Sequence, residues 1–465
     1  MNACPSLSDL PLPPGAFGLP LIGETIEFAR DPAQFTAVRR AKYGPVFCTH
    51  IIGAKTIFLT DKDALRWIFA NEGKTVENLW NKSTRDLLGE QCVAMLTGDE
   101  HRQRRQALMP HFKQGALQDF TPTMQAITAR HLAEWATRPG AIVLLDEMQA
   151  LVFDIIIAFL FGTTETETSQ IDVPYLSYYF RRWTRGLVSV PVRLPFSPYS
   201  RALSANKKLR RAIGDIVRRR RAQLASGALP PGPPDLLTTL LTTADHSGQP
   251  LSDEAIGHDL QNQLFAGHDT TVTVLVNLML LLAQHTAVWN RAQAEIDTAN
   301  LQTDPFNQAE LRRLPYLNHV LDESMRAVTP VGGTFRVLLQ DVAYQGYRLP
   351  QGWKIRLEIA GQHHNPEIWT EPEKFDPERW AHGREEQKNW PLSYIPFGGG
   401  PRICLGANLA MAEMRLTLAM LLQQYEWELV PDQNLTYDYL PFPRPQSGVR
   451  VYFRQRESRP AAKLV

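Results

Sequence analysis

The chain has 465 residues, 44% hydrophobic and 21% charged, with a formal net charge of +1. That length exceeds what one hydrophobic core usually fills, so a single large domain with sub-lobes, spanning 1–465, or two domains is expected. A near-neutral balance gives no global field for nucleic acid or an acidic partner, and none is expected. Four cysteines (Cys4, Cys48, Cys92 and Cys404) lie far apart without a CxxC pair. That argues against zinc and disulfide frameworks and makes a reducing cytoplasm the expected compartment.

Only ten residues precede the proline cluster at Pro11, and they include Ser6 and Asp9, so neither a signal peptide nor a spanning helix fits there. Residues 1–23 form a Pro/Gly-rich lead-in that should run extended over the surface. Val46–Ile52 and Thr56–Thr60 are β-rich runs on either side of Gly53-Ala54-Lys55, which reads as a hairpin turn. A β-rich lobe is expected over 24–61 and 334–360, and helices over 62–330 and 361–450. Leu187–Pro198 is apolar, broken by three prolines, and suits a lid over a substrate channel. Lys207, Lys208, Arg210, Arg211 and Arg218–Arg221 surround Leu209, Ile213, Ile216 and Val217. That is a basic amphipathic helix, read as a solvated face over a core stripe, with peripheral contact to an anionic membrane as the sharper reading. Pro230–Pro234 reads as a loop.

Ser252 is a good N-cap, with Asp253 and Glu254 in the first turn of a helix that runs to about Gln284. Its most apolar stretch, Val272–Ala283, is about twelve residues, too short to span a bilayer. Gly267 beside β-branched residues predicts a local distortion at Ala266–Thr271. Residues 334–358 turn β-like, 361–402 are irregular, and a last helix covers about 406–425 before closing strands. The class is mainly α with a small β portion.

The stretch Phe397-Gly398-Gly399-Gly400-Pro401-Arg402-Ile403-Cys404-Leu405-Gly406 delivers one thiol on a glycine-rich turn just before a helix. A helix N-terminus favours thiolate over thiol, and backbone N–H groups beyond the turn can donate to sulfur. The flanking glycines let backbone approach a flat group, and Phe397 can shield the sulfur. The bland alternative is a buried structural cysteine. Against it stand five positions at set spacing, Phe-x-x-Gly-x-Arg-x-Cys-x-Gly. This stretch resembles the haem-binding loop of the cytochromes P450.

The resemblance runs over residues 11–450 with its motifs in order. It implies the P450 fold, an α-rich lobe with a small β-rich one, and haem b held by Cys404 as the axial thiolate. Phe397, Gly406, Arg402 and Arg336 would line the cofactor. His101 and Arg105, one helical turn apart in Gly98-x-x-His101-x-x-x-Arg105, would contact its propionates. Glu323-x-x-Arg326 would be a buried pair completed by Arg379 in Pro377-Glu378-Arg379-Trp380, with a structural role. Ala266 and Thr270 share a helix face and match the oxygen-activation motif: Ala266 leaves room over the cofactor, Thr270 would bond dioxygen, and Asp269 would relay protons. The alternative for Thr270 is a bond back to its own helix. His268 lies off the 266/270 face, which fits a surface or supporting role. His101 stands where many members have Trp, and Trp380 where Phe is usual.

An intact Asp269-Thr270 pair implies a monooxygenase using dioxygen and electrons from a separate ferredoxin or flavoprotein, docking near Arg102, Arg104, Lys113 and Arg415. Three stretches are similar to those of retinoic acid hydroxylases and their soluble cyanobacterial relatives: PLPPGAFGLPLIGETIEF at the start, Thr329–Arg336, and Pro441-Phe442-Pro443-Arg444-Pro445. That implies a hydrophobic isoprenoid substrate, with Trp80, Phe265, Ala266, Val331, Phe335 and Phe442 as pocket walls. A haem sensor or electron carrier with a second ligand such as His268, and an oxygen-independent isomerase, are the alternative functions.

Overall fold

The computed structural model describes residues 6–162, 171–228, 235–245, 247–299, 301 and 305–457. Its axis is the helix Asp253–Gln284, capped by the Ser252 hydroxyl, which accepts from the Ala255 N–H at 3.1 Å. Leu144–Phe161, Pro198–Ala225, Pro315–Ala327 and Ala407–Gln424 pack around it. The helix runs unbroken through Ala266–Thr271, where a local distortion is expected. Thr270 and Thr273 instead donate to the carbonyls of Ala266 and Asp269, at 2.7 and 2.8 Å, and stay inside the helical pattern. The apolar run is also longer than its core segment suggests. By length and composition this helix could cross a membrane, yet 72% of its most apolar window is buried inside the protein. It is a core helix, saturated by protein neighbours.

A six-stranded sheet forms the β-rich part, in the order Gly15–Ala16, Val46–Ile51, Ala54–Leu59, Lys354–Glu358, Gly333–Leu338, Val76–Leu79. Ile51 faces Ala54, so the hairpin turn is Ile52-Gly53, one residue earlier than expected, with φ of 49° and 70°. Positive φ at both central residues is what a tight two-residue hairpin requires. Two strands carry no β signal of their own. Gly15–Ala16, in the lead-in, pairs parallel with Cys48–Thr49, and Val76–Leu79 pairs with Phe335–Leu338 inside a stretch read as helical. A separate sheet joins Tyr425–Leu429, Arg450–Gln455 and Ala141–Val143.

In the basic helix Leu209, Ile213, Ile216 and Val217 are buried, while Lys207, Lys208, Arg211, Arg218 and Arg219 are exposed. Arg220 departs from the solvated face. It is buried, pairs with Asp235, and donates to Thr238 Oγ1 at 2.7 Å and to the Phe161 carbonyl at 2.9 Å. Residues 189–197 form no helix, and Val190 and Phe196 there are 74% and 81% exposed. Pro230–Pro234 lie outside the described residues.

Candidate active site

Glu323 and Arg326 share one face of the helix Pro315–Ala327, and both side chains are fully buried, as is that of Arg379. Glu323 Oε1 accepts from Arg326 Nη2 at 2.8 Å, Arg379 Nε at 3.0 Å and the Asp376 N–H at 2.9 Å. Its Oε2 accepts from Arg326 Nε at 2.8 Å and from the Trp380 indole at 3.1 Å. Tryptophan here therefore supplies a bond that phenylalanine cannot. Arg326 spends its remaining N–H groups on the carbonyls of His363, Pro372 and Lys374. Arg379 bonds Glu386 at 2.8 Å and the carbonyls of Thr370, Glu371 and Lys374. His363 Nε2 accepts from the Ile395 N–H at 2.9 Å, so the ring proton sits on Nδ1, facing Thr329 Oγ1 at 2.7 Å. A buried ion network is tolerated when every donor and acceptor is matched, as in this one.

The loop that follows presents Cys404. Its N–H donates to the Phe397 carbonyl at 2.9 Å, which closes the turn. Gly398 and Gly400 take φ of 73° and 65°, and a Cβ on Gly399 would lie 2.7 Å from the Phe69 ring. Two of these glycines thus make room for Phe69 and not for a ligand. Cys404 is accessible, although protein packs closely around its thiol. Burial pushes its pKa up, outweighing the Gly406 N–H and Arg105 that pull it down. The helix N-terminus alone does not make the free thiol a thiolate. A bound metal would favour the thiolate, because it displaces the proton.

Cations gather beside the thiol. Arg105, on the helix Gly98–Leu108, lies in the electrostatic range of Cys404 and Arg402 and makes no ion pair among the described residues. His101, one turn earlier, is buried. Burial, with Arg402 and Arg105, brings its pKa down to about 4, so it is neutral. Arg402 donates to the Leu96 carbonyl at 2.8 Å and lies 3.3 Å from Glu77 and 3.6 Å from Glu72. Arg336 Nε is 2.9 Å from Glu72 Oε1, but out of line for a hydrogen bond. Both Glu72 oxygens and Arg336 Nε are left without one. Trp80 donates to the Ala94 carbonyl at 3.0 Å, an acceptor that Arg402 also approaches.

Strand alternation decides Phe335. Arg336 turns toward Glu72 and Arg402, so Phe335 points to the other face. There it packs against the cluster of Phe28, Phe35, Phe47, Ile51 and Phe58. The expectation that Phe335 lines the pocket is therefore wrong. Val331 is half-buried in the loop before this strand. Arg104 also departs from expectation: it is buried against Asp259 of the central helix and forms no docking surface. Asp259 further accepts from the Val93 N–H at 2.7 Å, tying the 89–97 loop to that helix. Arg102 and Lys113 are exposed, and Arg415 is half-buried, donating to Asn318 at 2.6 Å.

On the central helix Ala266 is accessible, and Phe265 and Thr270 are half-buried, although the helix on both sides of them is buried. These residues mark the wall of a hollow. Phe265 meets Phe442 at 6.0 Å between ring centroids. His268 is not at the surface. Its ring is wedged against Phe153 and Phe180, and Nε2 donates to the Gln149 carbonyl at 2.9 Å. Asp269 is buried and bonds Arg444 at 2.7 Å. Burial pushes its carboxyl up, but His268 and Arg444 together outweigh that and hold it below the usual range. A polar cleft of about 400 Å³ lined by Arg40, Asp61, Lys62, Asp63 and Glu367 lies elsewhere and contains none of these groups.

The chain as a whole has counterparts among known proteins. The family model for cytochrome P450 matches residues 13–451. The chain belongs to the cytochrome P450 family. It is 35% identical over 446 residues to a putative cytochrome P450 120 of Synechocystis sp., covering 96% of this chain and 97% of that one. It is 31% identical to cytochrome P450 26B1 of Bos taurus over 96% of this chain and 87% of the other. A solved structure of retinoic acid bound cyanobacterial CYP120A1 superposes with a TM-score of 0.88 at 34% identity, covering 96% and 100% of the two chains.

As a P450, the chain is an oxidoreductase of the monooxygenase family with haem b as its cofactor. The residues present fit that group. Arg105 offers an unspent positive charge beside the thiol, Arg336 has an unmatched Nε, and the hollow is apolar where Phe265 and Ala266 face it. Glu72, Asp259 and Arg444 are missed by motif reading. Each acts through a partner more than 150 residues away, and no local pattern carries that.

Proposed function

We propose that this P450 hydroxylates a hydrophobic isoprenoid (a retinoid, apocarotenoid or terpenoid) with electrons from a separate ferredoxin or flavoprotein. Haem b, when bound, supplies dioxygen activation and insertion of one oxygen atom into a C–H bond. Cys404 would hold the haem iron through its sulfur, toward which the Gly406 N–H points. Arg105, Arg336 and Arg402 would hold the propionates, with neutral His101 as a hydrogen-bonding partner. Phe397 covers the sulfur side. Glu323, Arg326 and Arg379 keep the loop before Cys404 in place without touching substrate.

On the opposite side Ala266 leaves space, Thr270 presents its hydroxyl, and Asp269 takes up and releases the proton the reaction needs. Trp80, Phe265, Val331 and Phe442 form the substrate walls. An aromatic-lined hollow suits a polyene, and the retinoic acid bound in the similar cyanobacterial structure supports the same substrate class. The electron donor would meet the face carrying Arg102, Lys113 and Arg415; Arg104 drops out. A cytoplasmic location, with at most peripheral membrane contact through the basic helix, completes the reading.

The observation that carries this proposal is the accessible thiol of Cys404 beside unpaired Arg105. The placement of His268 speaks against a haem sensor with a second ligand, since its ring is committed to Gln149 and two phenylalanines. The absorption spectrum of the reduced, CO-treated protein is the test. A strongly red-shifted Soret band is expected, and an unshifted band overturns the monooxygenase assignment of the site. For the substrate, retinoic acid and related isoprenoids should perturb the haem spectrum and give hydroxylated products with a surrogate ferredoxin system. Absence of both removes the isoprenoid proposal.

A further inference from the structure

One arginine ties the acid of the central helix to the wall of the pocket. Arg444 lies in the short strand pair Tyr437–Asp438 and Arg444–Pro445. Its Nη2 donates to Asp269 Oδ1 at 2.7 Å and to the Asp269 carbonyl at 3.1 Å, and its Nε donates to Thr273 Oγ1 at 3.1 Å. One turn further on, Asn277 Nδ2 donates to the Pro443 carbonyl at 3.0 Å, and the Tyr437 hydroxyl donates to Asn277 Oδ1 at 2.8 Å. Asp269, Thr273 and Asn277 are spaced by four, so they form one stripe along the helix. All three are buried. A buried polar stripe in an otherwise apolar helix needs partners, and this one finds them in a single hairpin.

The same hairpin carries Phe442, whose ring meets Phe265 at the hollow, with the Arg444 guanidinium 5.5 Å from that ring. Wall and acid are therefore two ends of one short docked segment. The two carboxylate oxygens of Asp269 also differ. Oδ1 is taken by Arg444, while Oδ2 has no hydrogen-bond partner and lies 3.5 Å from His268 Nδ1. His268 Nε2 must carry a proton to donate to Gln149, and this leaves Nδ1 as the nitrogen facing Oδ2. Oδ2 is thus the oxygen that Arg444 does not hold, and it faces His268 Nδ1.

We propose that Arg444 is a positioning residue that sets the place of the Asp269 carboxylate according to what fills the pocket beside Phe442. The inference rests on the proposed proton-transfer role of Asp269 and adds to it a link with substrate occupancy. A ligand pressing on Phe442 shifts the hairpin, and the hairpin carries the guanidinium that holds Oδ1. Such coupling is reciprocal between the two ends.

The test uses the haem-loaded full chain with Arg444→Gln, Arg444→Lys, Asp269→Asn and the Arg444→Gln/Asp269→Asn double variant. The reduced, CO-treated spectrum checks that each holds its cofactor. Amide hydrogen exchange across residues 437–445 needs no ligand. Asp269→Asn should raise it about tenfold, and unchanged exchange overturns the link. With retinoic acid and a surrogate ferredoxin system, Arg444→Gln should yield about tenfold less product per electron pair and shift the retinoic acid Kd about threefold, because the coupling is reciprocal; an unchanged Kd overturns the link to pocket occupancy. Arg444→Lys should recover most of the loss.

The double variant should be no worse than Asp269→Asn alone, because both act through one carboxylate. Multiplying losses, or full coupling in Arg444→Gln, overturns the inference. Full coupling in Asp269→Asn removes the proton-transfer role itself, so the two failures are distinguishable. Should Arg444→Gln not fold, Thr273→Val removes only the second anchor. About threefold lower coupling is then expected, and no loss overturns the inference.

Discussion

The two sides of the thiol loop are built on opposite electrostatic plans. Around Glu323 both oxygens are fully used, and Arg326 and Arg379 spend their remaining donors on backbone carbonyls and Glu386. Around Arg105, Arg336 and Arg402 the polar atoms do not close. Among the described residues Arg105 has no ion pair, and Glu72 and Arg336 sit close without a proper hydrogen bond. A closed network resists change and fixes one geometry. An open one has unspent capacity for an anion that arrives later. The difference separates a brace from a receptor, though both are made of the same two kinds of group, guanidinium and carboxylate.

The largest effect should come from breaking the closed side. Glu323→Ala leaves the buried Arg326 guanidinium without a carboxylate and Arg379 with Glu386 alone, and a loss of about 3–5 kcal/mol is expected in denaturant unfolding. Against a typical total of about 5–15 kcal/mol, that removes much of the folded population.

Glu413 offers a third case, a buried acid with no cationic partner among the described residues. Burial alone lifts its pKa to about 8, and its Oε1 is unmatched. Its folded pKa lies above the unfolded value of 4.5, so the stability that goes with its neutral form is present below pH 4.5 and lost as pH rises through 8. Glu413→Gln should flatten that slope and stabilise the protein by about 1–2 kcal/mol at pH 8, read by unfolding at pH 5 and pH 8. An unchanged slope would mean that a partner compensates the charge, as at Glu323.

On the open side, Arg105→Ala should change unfolding stability by less than about 0.5 kcal/mol. Haem transfer to apomyoglobin should nevertheless speed up about tenfold, equivalent to about 1.4 kcal/mol. The smallest effect is expected from Glu72→Gln, in the opposite direction. Removing the competing carboxylate frees Arg336, and haem loss should slow about threefold. If Glu72→Gln speeds haem loss instead, the site is a brace on both sides.

The chemistry-bearing positions were legible because each sits in a local pattern. Cys404 has its glycine turn, Glu323 and Arg326 their i,i+3 spacing, and Ala266 and Thr270 their shared helix face. Burial and long-range pairing were not legible. Arg104 and Arg220 read as surface cations and are buried against Asp259 and Asp235. Phe335 read as a pocket wall, but strand alternation sends it to the far face once Arg336 is fixed. Val76–Leu79 becomes a strand only because Phe335–Leu338 offers an edge. His268 looked peripheral since nothing in its neighbours along the chain announces Phe153 or Phe180.

Thr270 spends its only hydroxyl proton on the Ala266 carbonyl at 2.7 Å. Toward the hollow it therefore offers lone pairs and no hydrogen. A guest that meets it there must bring its own proton, or the hydroxyl must first rotate off the helix. Replacement by serine keeps that choice and replacement by valine abolishes it, so the pair separates the polarity of this contact from its size.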